Sequence, residues 1–288
     1  MKGFSHRLLR RHGQEPGRVR SQTEIPVQPQ AERPSPSGWR VGRLFGVPLY
    51  AQPSGLAFFA LLGLLYTPVV SARLPGVGPL GFVAALTMPT LVVVSVLGHE
   101  LGHLLAGRLV GIPATRITID LLGGETEFDR DAPTAGREAM IAASGPAASI
   151  LMAVLGYAIL TWPAPTGFAG LLVAQFALVN ILLAAFNLLP GLPLDGGWIL
   201  RAGLWKATGR PDLSVKAAAW IGRLLAVTLA AELLVRAGTG SRVGLLSLAV
   251  TGVVAFQIWN GASAVVREAA RARGDVQVPG ASPPGGPA

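Results

Sequence analysis

The sequence predicts an all-α membrane protein of about six transmembrane helices, with a short membrane-associated β-hairpin between the second and third. Three observations carry this. Hydrophobic residues make up 51% of the chain and charged residues only 14%, which lies outside the usual composition of a soluble domain. The apolar residues gather into runs near the roughly 20 residues that a spanning helix needs. The basic residues sort to alternate loops, as topology in a bilayer requires.

Residues 1–44 hold nine Lys or Arg, several Pro and Ser, and no apolar core. They read as a disordered basic cytoplasmic tail, neither a signal peptide nor a span. An organelle transit peptide is the competing reading, opposed by Glu15, Glu24 and Glu32. The six runs follow at about 54–72, 81–109, 138–161, 168–190, 217–236 and 243–266. Pro and Gly between them mark short connections, at Pro75-Gly76, from Trp162 to Gly167 and at Gly238-Thr239-Gly240. Residues 45–267 thus form one polytopic membrane domain, and 268–288, rich in Pro and Gly, a second disordered tail.

Assigning alternate loops to opposite sides leaves Arg73, Arg236 and Arg242 on one side and the other 21 basic residues on the second. That asymmetry predicts both termini in the cytoplasm and an even number of spans. The net charge of +9 therefore serves topology, and no nucleic-acid groove is expected. The chain has no cysteine, which excludes disulfides, thiolate metal sites and cysteine catalysis. Any metal must be held by His, Asp or Glu.

Between the second and third runs, the β-branched stretch 115–119 and the pair Gly123-Gly124 predict a strand and hairpin reaching Phe128. It is too short to cross a bilayer. It lies in the interface, dips into the bundle where protein satisfies its backbone, or is an ordinary loop.

Chemistry concentrates in the second run, which contains His99, Glu100 and His103. Spacing i, i+4 puts both imidazoles on one helix face, where they can reach one ion. Glu100, one step round, stands close enough to act as general base on water without being a ligand. Random order would give this pattern about 0.002 times per chain of this composition. Two His and a Glu in an apolar helix are also costly unless paired, metal-bound or facing a wet cavity. The alternative is a hydrogen-bonded cluster or proton path within a bundle.

Zinc needs a third protein ligand. Asp195 is the candidate that stands apart, because it follows Asn187-Leu-Leu-Pro-Gly-Leu-Pro-Leu and precedes two glycines. A broken helix in a membrane usually builds a site. The competing role for Asp195 is a helix N-cap. Asn187 either hydrogen-bonds a substrate backbone or joins two helices. Gly145 to Ser149 in the third run form a small-residue pattern suited to close helix packing. Arg223 and Glu232, nine residues apart in the fifth run, are too far apart to pair along the helix and need separate partners.

On these residues, the chain resembles the site-2 protease family of intramembrane zinc metalloproteases, from about Val41 to Arg267. His99-Glu100-Leu-Gly-His103 is similar to the family's metal motif, and residues 187–196 to the segment carrying the third ligand. Leu122-Gly123-Gly124 resembles its membrane-dipping hairpin. The resemblance implies one zinc ion bound by His99, His103 and Asp195, with Glu100 activating water. It also implies that an extended substrate segment pairs with the hairpin edge near Gly123 and Gly124. Many members of that family carry a PDZ domain or a pair of CBS domains, and the short loops and short second tail of this chain lead to the expectation of a minimal form without either.

The expected function is hydrolysis of peptide bonds in a single-pass transmembrane protein substrate, within the lipid bilayer. The bias toward Arg, Ala, Gly and Pro suggests a bacterial inner membrane. The rival readings are a membrane transporter or a zinc-binding scaffold using the same His and Asp cluster. Glu100 separates them, since transport needs no general base beside the ligands.

Overall fold

The computed structural model describes residues 38–274 except 75, 77, 79, 121, 122, 163 and 240–244. The first hairpin joins β1 (Trp39–Leu44) to β2 (Val47–Ala51). Its two-residue turn has φ 47° at Phe45 and 85° at Gly46, the left-handed pair that matches strand twist. The second joins β3 (Ala114–Ile119) to β4 (Gly124–Phe128). The strands form one sheet in the order β1-β2-β3-β4. β2 and β3 run parallel, with Leu49 opposite Ile117. β3 and β4 run antiparallel, with Ile117 opposite Thr126.

The expected single hairpin is therefore half of a four-stranded sheet. Parallel strands need a long crossover, and here two spans of helix separate β2 from β3, so local sequence does not announce their pairing. β1 also occupies residues 39–44, the end of the stretch assigned to the tail. Residues 1–37 lie outside the described residues, as does Leu122.

The helices are α1 (Pro53–Arg73), α2 (Leu80–Ala85), α3 (Thr87–Leu109), α4 (Ala135–Thr161), α5 (Gly167–Asn187), α6 (Asp195–Thr208), α7 (Pro211–Gly238) and α8 (Leu245–Gly274). Five stretches among the described residues are long and apolar enough to cross a membrane: α1, α2 with α3, α4, α5 and most of α7. They coincide with the first five runs read from the sequence. The sixth run, 243–266, falls mostly in α8, and residues 243 and 244 lie outside the described residues. α8 also continues to Gly274, into the stretch assigned to the second tail.

The packing explains how the sheet reaches the helices. Val47 and Ile117 on the sheet and Leu104 on α3 form one buried cluster. Phe128 presses on Gly107 of α3, where a Cβ would stand 2.3 Å from its ring. Gly102 lets α4 approach equally closely, since a Cβ there would be 2.5 Å from the Ser144 carbonyl oxygen. α3 is thus held between the sheet and α4.

The charged residues expected to need separate partners have them. Arg223 lies between Trp220 and Trp259, 4.8 and 5.6 Å from the ring centres, and reaches Ser263 at 3.2 Å. Glu232 pairs with Arg236 one helical turn on. Cation–π contact and a hydroxyl offset the cost of placing a guanidinium in an apolar helix pair.

Candidate metal centre

α3 contributes three buried polar side chains: His99 and Glu100, each 3% exposed, and His103, 7% exposed. His99 and His103 follow the i, i+4 spacing, and their Nε2 atoms lie 3.2 Å apart. α6 contributes Asp195 from its first position. Oδ2 of Asp195 lies 3.0 Å from Nε2 of His99, and Oδ1 lies 3.3 Å from Nε2 of His103. The N-cap alternative does not hold, because Leu194 is the cap residue of α6 and no side chain caps that end.

Glycines bring Asp195 there. A Cβ at Gly196 would stand 2.3 Å from the Leu188 carbonyl oxygen, and one at Gly197 2.2 Å from the Gly191 carbonyl carbon. Only bare backbone lets α6 start against the preceding turn. Leu192 anchors the same turn, fully buried with its N–H donated to the Ala218 carbonyl at 3.2 Å. The broken segment read from the sequence is thus a rigid bracket for one carboxylate.

Partners on α4 orient both imidazoles. His103 Nδ1 lies 2.8 Å from the Ile141 carbonyl oxygen, which can only accept, so Nδ1 carries the proton and Nε2 presents a lone pair. His99 Nδ1 lies 3.0 Å from the Ser149 hydroxyl, which can accept in the same way. The small-residue pattern has a further consequence. A Cβ at Gly145 would stand 2.2 Å from His103 Nε2 and 2.6 Å from His99 Nε2, so a glycine leaves room directly before both nitrogens.

The donor set can be tested against a cation. Lone-pair nitrogens and a carboxylate converge, and acceptors facing acceptors repel unless positive charge lies among them. Tetrahedral zinc, with bonds of about 2.0 to 2.1 Å, sets neighbouring ligand atoms about 3.3 Å apart. The separations of 3.0, 3.2 and 3.3 Å fit.

Glu100 has a different neighbour. His99, Glu100 and His103 offer atoms that all lie within 4.8 Å of one another, yet Oε2 of Glu100 accepts a hydrogen bond from Thr126 Oγ1 at 2.6 Å. Gly124 lies against the same carboxylate, where a Cβ would be 2.8 Å from Oε1. Gly123 closes the hairpin loop instead, with its N–H 3.2 Å from Asp120 Oδ1 and open space where a side chain would be.

Asn187, the other candidate, donates its amide to the Leu183 carbonyl of its own helix at 3.0 Å. The buried asparagine near the site is Asn180, bonded at 2.9 Å to Ser95 of α3, one turn before His99. Sequence reasoning also misses Thr126, Ser149 as the partner of His99, and the buried pair Glu138 and Arg201, which ties α4 to α6. Each joins segments far apart in the chain, and hydroxyls in apolar helices carry no local signal.

Fold and donor set define a class: helical membrane proteins built around a His-Glu-x-x-His helix, with a carboxylate delivered by a later segment. The chain belongs to Peptidase family M50, whose sequence model matches residues 88–168 and 164–230. It is 35% identical over 186 residues to sll0528 of Synechocystis sp., covering 64% of this chain and 48% of that protein. It is 35% identical over 169 residues to Rip3 of Mycobacterium tuberculosis, covering 58% and 43%. Both are provisionally named zinc metalloproteases. The chain therefore spans about half the length of the curated relatives it matches. Its fold is similar to the site-2 protease from Methanocaldococcus jannaschii, with a TM-score of 0.57 and 27% identity, covering 80% of this chain and 95% of that one.

Proposed function

We propose that this protein is an intramembrane zinc metalloprotease that hydrolyses peptide bonds of a single-pass transmembrane protein. The observation that carries the reading is the approach of Asp195 to within 3.0 and 3.3 Å of the two imidazole nitrogens, with Glu100 beside them. In this reading His99, His103 and Asp195 hold one zinc ion per chain.

When bound, zinc supplies a Lewis acid that polarises the scissile carbonyl and makes water acidic near neutral pH. The chain's own residues do the rest. Glu100 takes the proton from the attacking water and returns it to the leaving amine. Ser149 and the Ile141 carbonyl keep the imidazoles aimed. The β4 edge, with Gly124 against Glu100, receives an extended stretch of substrate, because a transmembrane helix must unwind before its peptide bond can be attacked and a strand edge satisfies the freed backbone. Asn187, at the end of α5, donates one N–H to its own helix and keeps its second N–H and its Oδ1 for contact with a substrate backbone.

A cavity of about 250 Å³ supports an apolar substrate. Phe58 and Phe59 of α1, Val92 and Val96 of α3, Leu183 of α5 and Asp120 of the hairpin loop line it. Val96 precedes Glu100 by one helical turn on α3. The proposed setting is a bacterial inner membrane, crossed six times with α8 as the last span, both termini in the cytoplasm and the β3–β4 hairpin within the membrane.

The test compares membrane proteomes of cells carrying the intact protein and its Glu100→Gln form. Single-pass fragments should accumulate only with the variant, while purified variant protein keeps its zinc. A variant as active as the parent would reject the assignment.

A further inference from the structure

Three contacts fix how β4 meets α3. Residues 124, 126 and 128 share one face of the strand, and all three point at α3: Gly124 onto the Glu100 carboxylate, Thr126 onto Oε2 of the same carboxylate, and Phe128 onto Gly107. Glu100 and Gly107 are seven residues apart, two turns along one helical face. The other face of β4 is occupied differently, since Glu127 pairs with Arg116 of β3 at 2.5 Å. A one-residue slip of β4 would remove Thr126 from Glu100 altogether.

We infer that Thr126 is a positioning residue for the reaction, holding the Glu100 carboxylate in the orientation that proton transfer needs. This rests on the protease reading above. Glu100 is 3% exposed, so bulk solvent contributes little to orienting its carboxylate. The Thr126 hydroxyl donates to Oε2 at 2.6 Å, a length typical of a hydrogen bond to a charged oxygen. Threonine is also stiff about its first side-chain torsion, and its backbone is fixed by the β3 register, Ile117 opposite Thr126. With Oε2 engaged, Oε1 is left to exchange a proton with water.

The arrangement joins two tasks on one strand. β4 is the edge of the sheet, the edge proposed to receive substrate, and its other connection is to the base. The strand proposed to receive substrate is therefore the one that also holds Glu100 through Thr126. The metal-binding atoms are not touched by Thr126, so its loss should spare zinc.

The substrate for the test is the single-pass fragment that accumulates in Glu100→Gln cells, purified in detergent. Thr126→Val, which keeps the shape and removes the hydroxyl, should lower kcat about ten- to a hundredfold, leave KM within about twofold and retain zinc. Thr126→Ser should recover most of the loss. If the valine variant does not fold, alanine and serine variants replace it, and equal kcat for those two overturns the inference. So does a valine variant with wild-type kcat, or one whose only defect is a raised KM. A zinc-loaded wild-type chain that leaves the fragment intact sinks the protease reading, and the inference with it. A cleaving wild type, a dead Glu100→Gln and a wild-type kcat in Thr126→Val sink the inference alone.

Discussion

Asp195 places Oδ2 3.0 Å from Nε2 of His99, although 96 residues separate the two in the chain. Asp195 reaches this position through the backbone turn before α6. Removing the carboxylate should therefore remove the metal. Asp195→Ala is expected to weaken zinc binding by more than about a hundredfold, because even supporting residues outside the ligand set cost 10- to 100-fold. Metal analysis of the purified variant against a chelator series checks this, and full occupancy would exclude Asp195 as a ligand.

Gly145 offers a sharper steric test. An added methyl group would stand 2.2 Å from His103 Nε2 and 2.6 Å from His99 Nε2, well inside van der Waals contact. Gly145→Ala should push both rings aside and lower zinc occupancy. Its helix content should stay as in the parent, since Ala favours helix. Circular dichroism and zinc content measured on one sample separate the two effects.

Ser149 and Ile141 orient the two imidazoles in different ways. The partner of His103 is a backbone carbonyl and survives any side-chain change at 141, whereas the partner of His99 is the Ser149 hydroxyl. Ser149→Ala should weaken zinc about ten- to a hundredfold. Ile141→Ala should leave affinity close to the parent value. Competition titration with a zinc chelator reads both.

Glu138 and Arg201 form a buried ion pair between α4 and α6, with 8% and 15% of their side chains exposed. Trp198 and Trp205 lie 5.2 and 5.7 Å from the guanidinium. Losing one partner strands the other charge, at a cost of about 3 kcal/mol or more. Glu138→Ala should lower the thermal midpoint in detergent by several degrees and loosen zinc, because α6 carries Asp195 and α4 carries the imidazole partners. An unchanged midpoint would show that the pair contributes little.

Part of this organisation is legible in the amino-acid order alone. The first five apolar runs, the i, i+4 spacing of His99 and His103 and the position of Glu100 are local patterns, set by helix geometry within one turn. The broken segment before Asp195 is legible too, because Pro and Gly leave a compositional mark. The β2–β3 pairing, α6 as a separate helix, and Thr126, Ser149 and Arg201 as partners leave none. Each depends on surfaces brought together from distant parts of the chain.

Composition and helical period thus decided that this chain is a membrane bundle with two imidazoles and a carboxylate on one apolar helix, since each follows from spacings of four residues or fewer. Packing decided how they are met: Asp195 and Gly145, both singled out in the sequence, come up against the imidazole nitrogens, and the Thr126 hydroxyl, which carries no local mark, comes up against Glu100. Such convergence depends on how closely backbones approach, and close approach is a property of pairs of segments that no single stretch of sequence records.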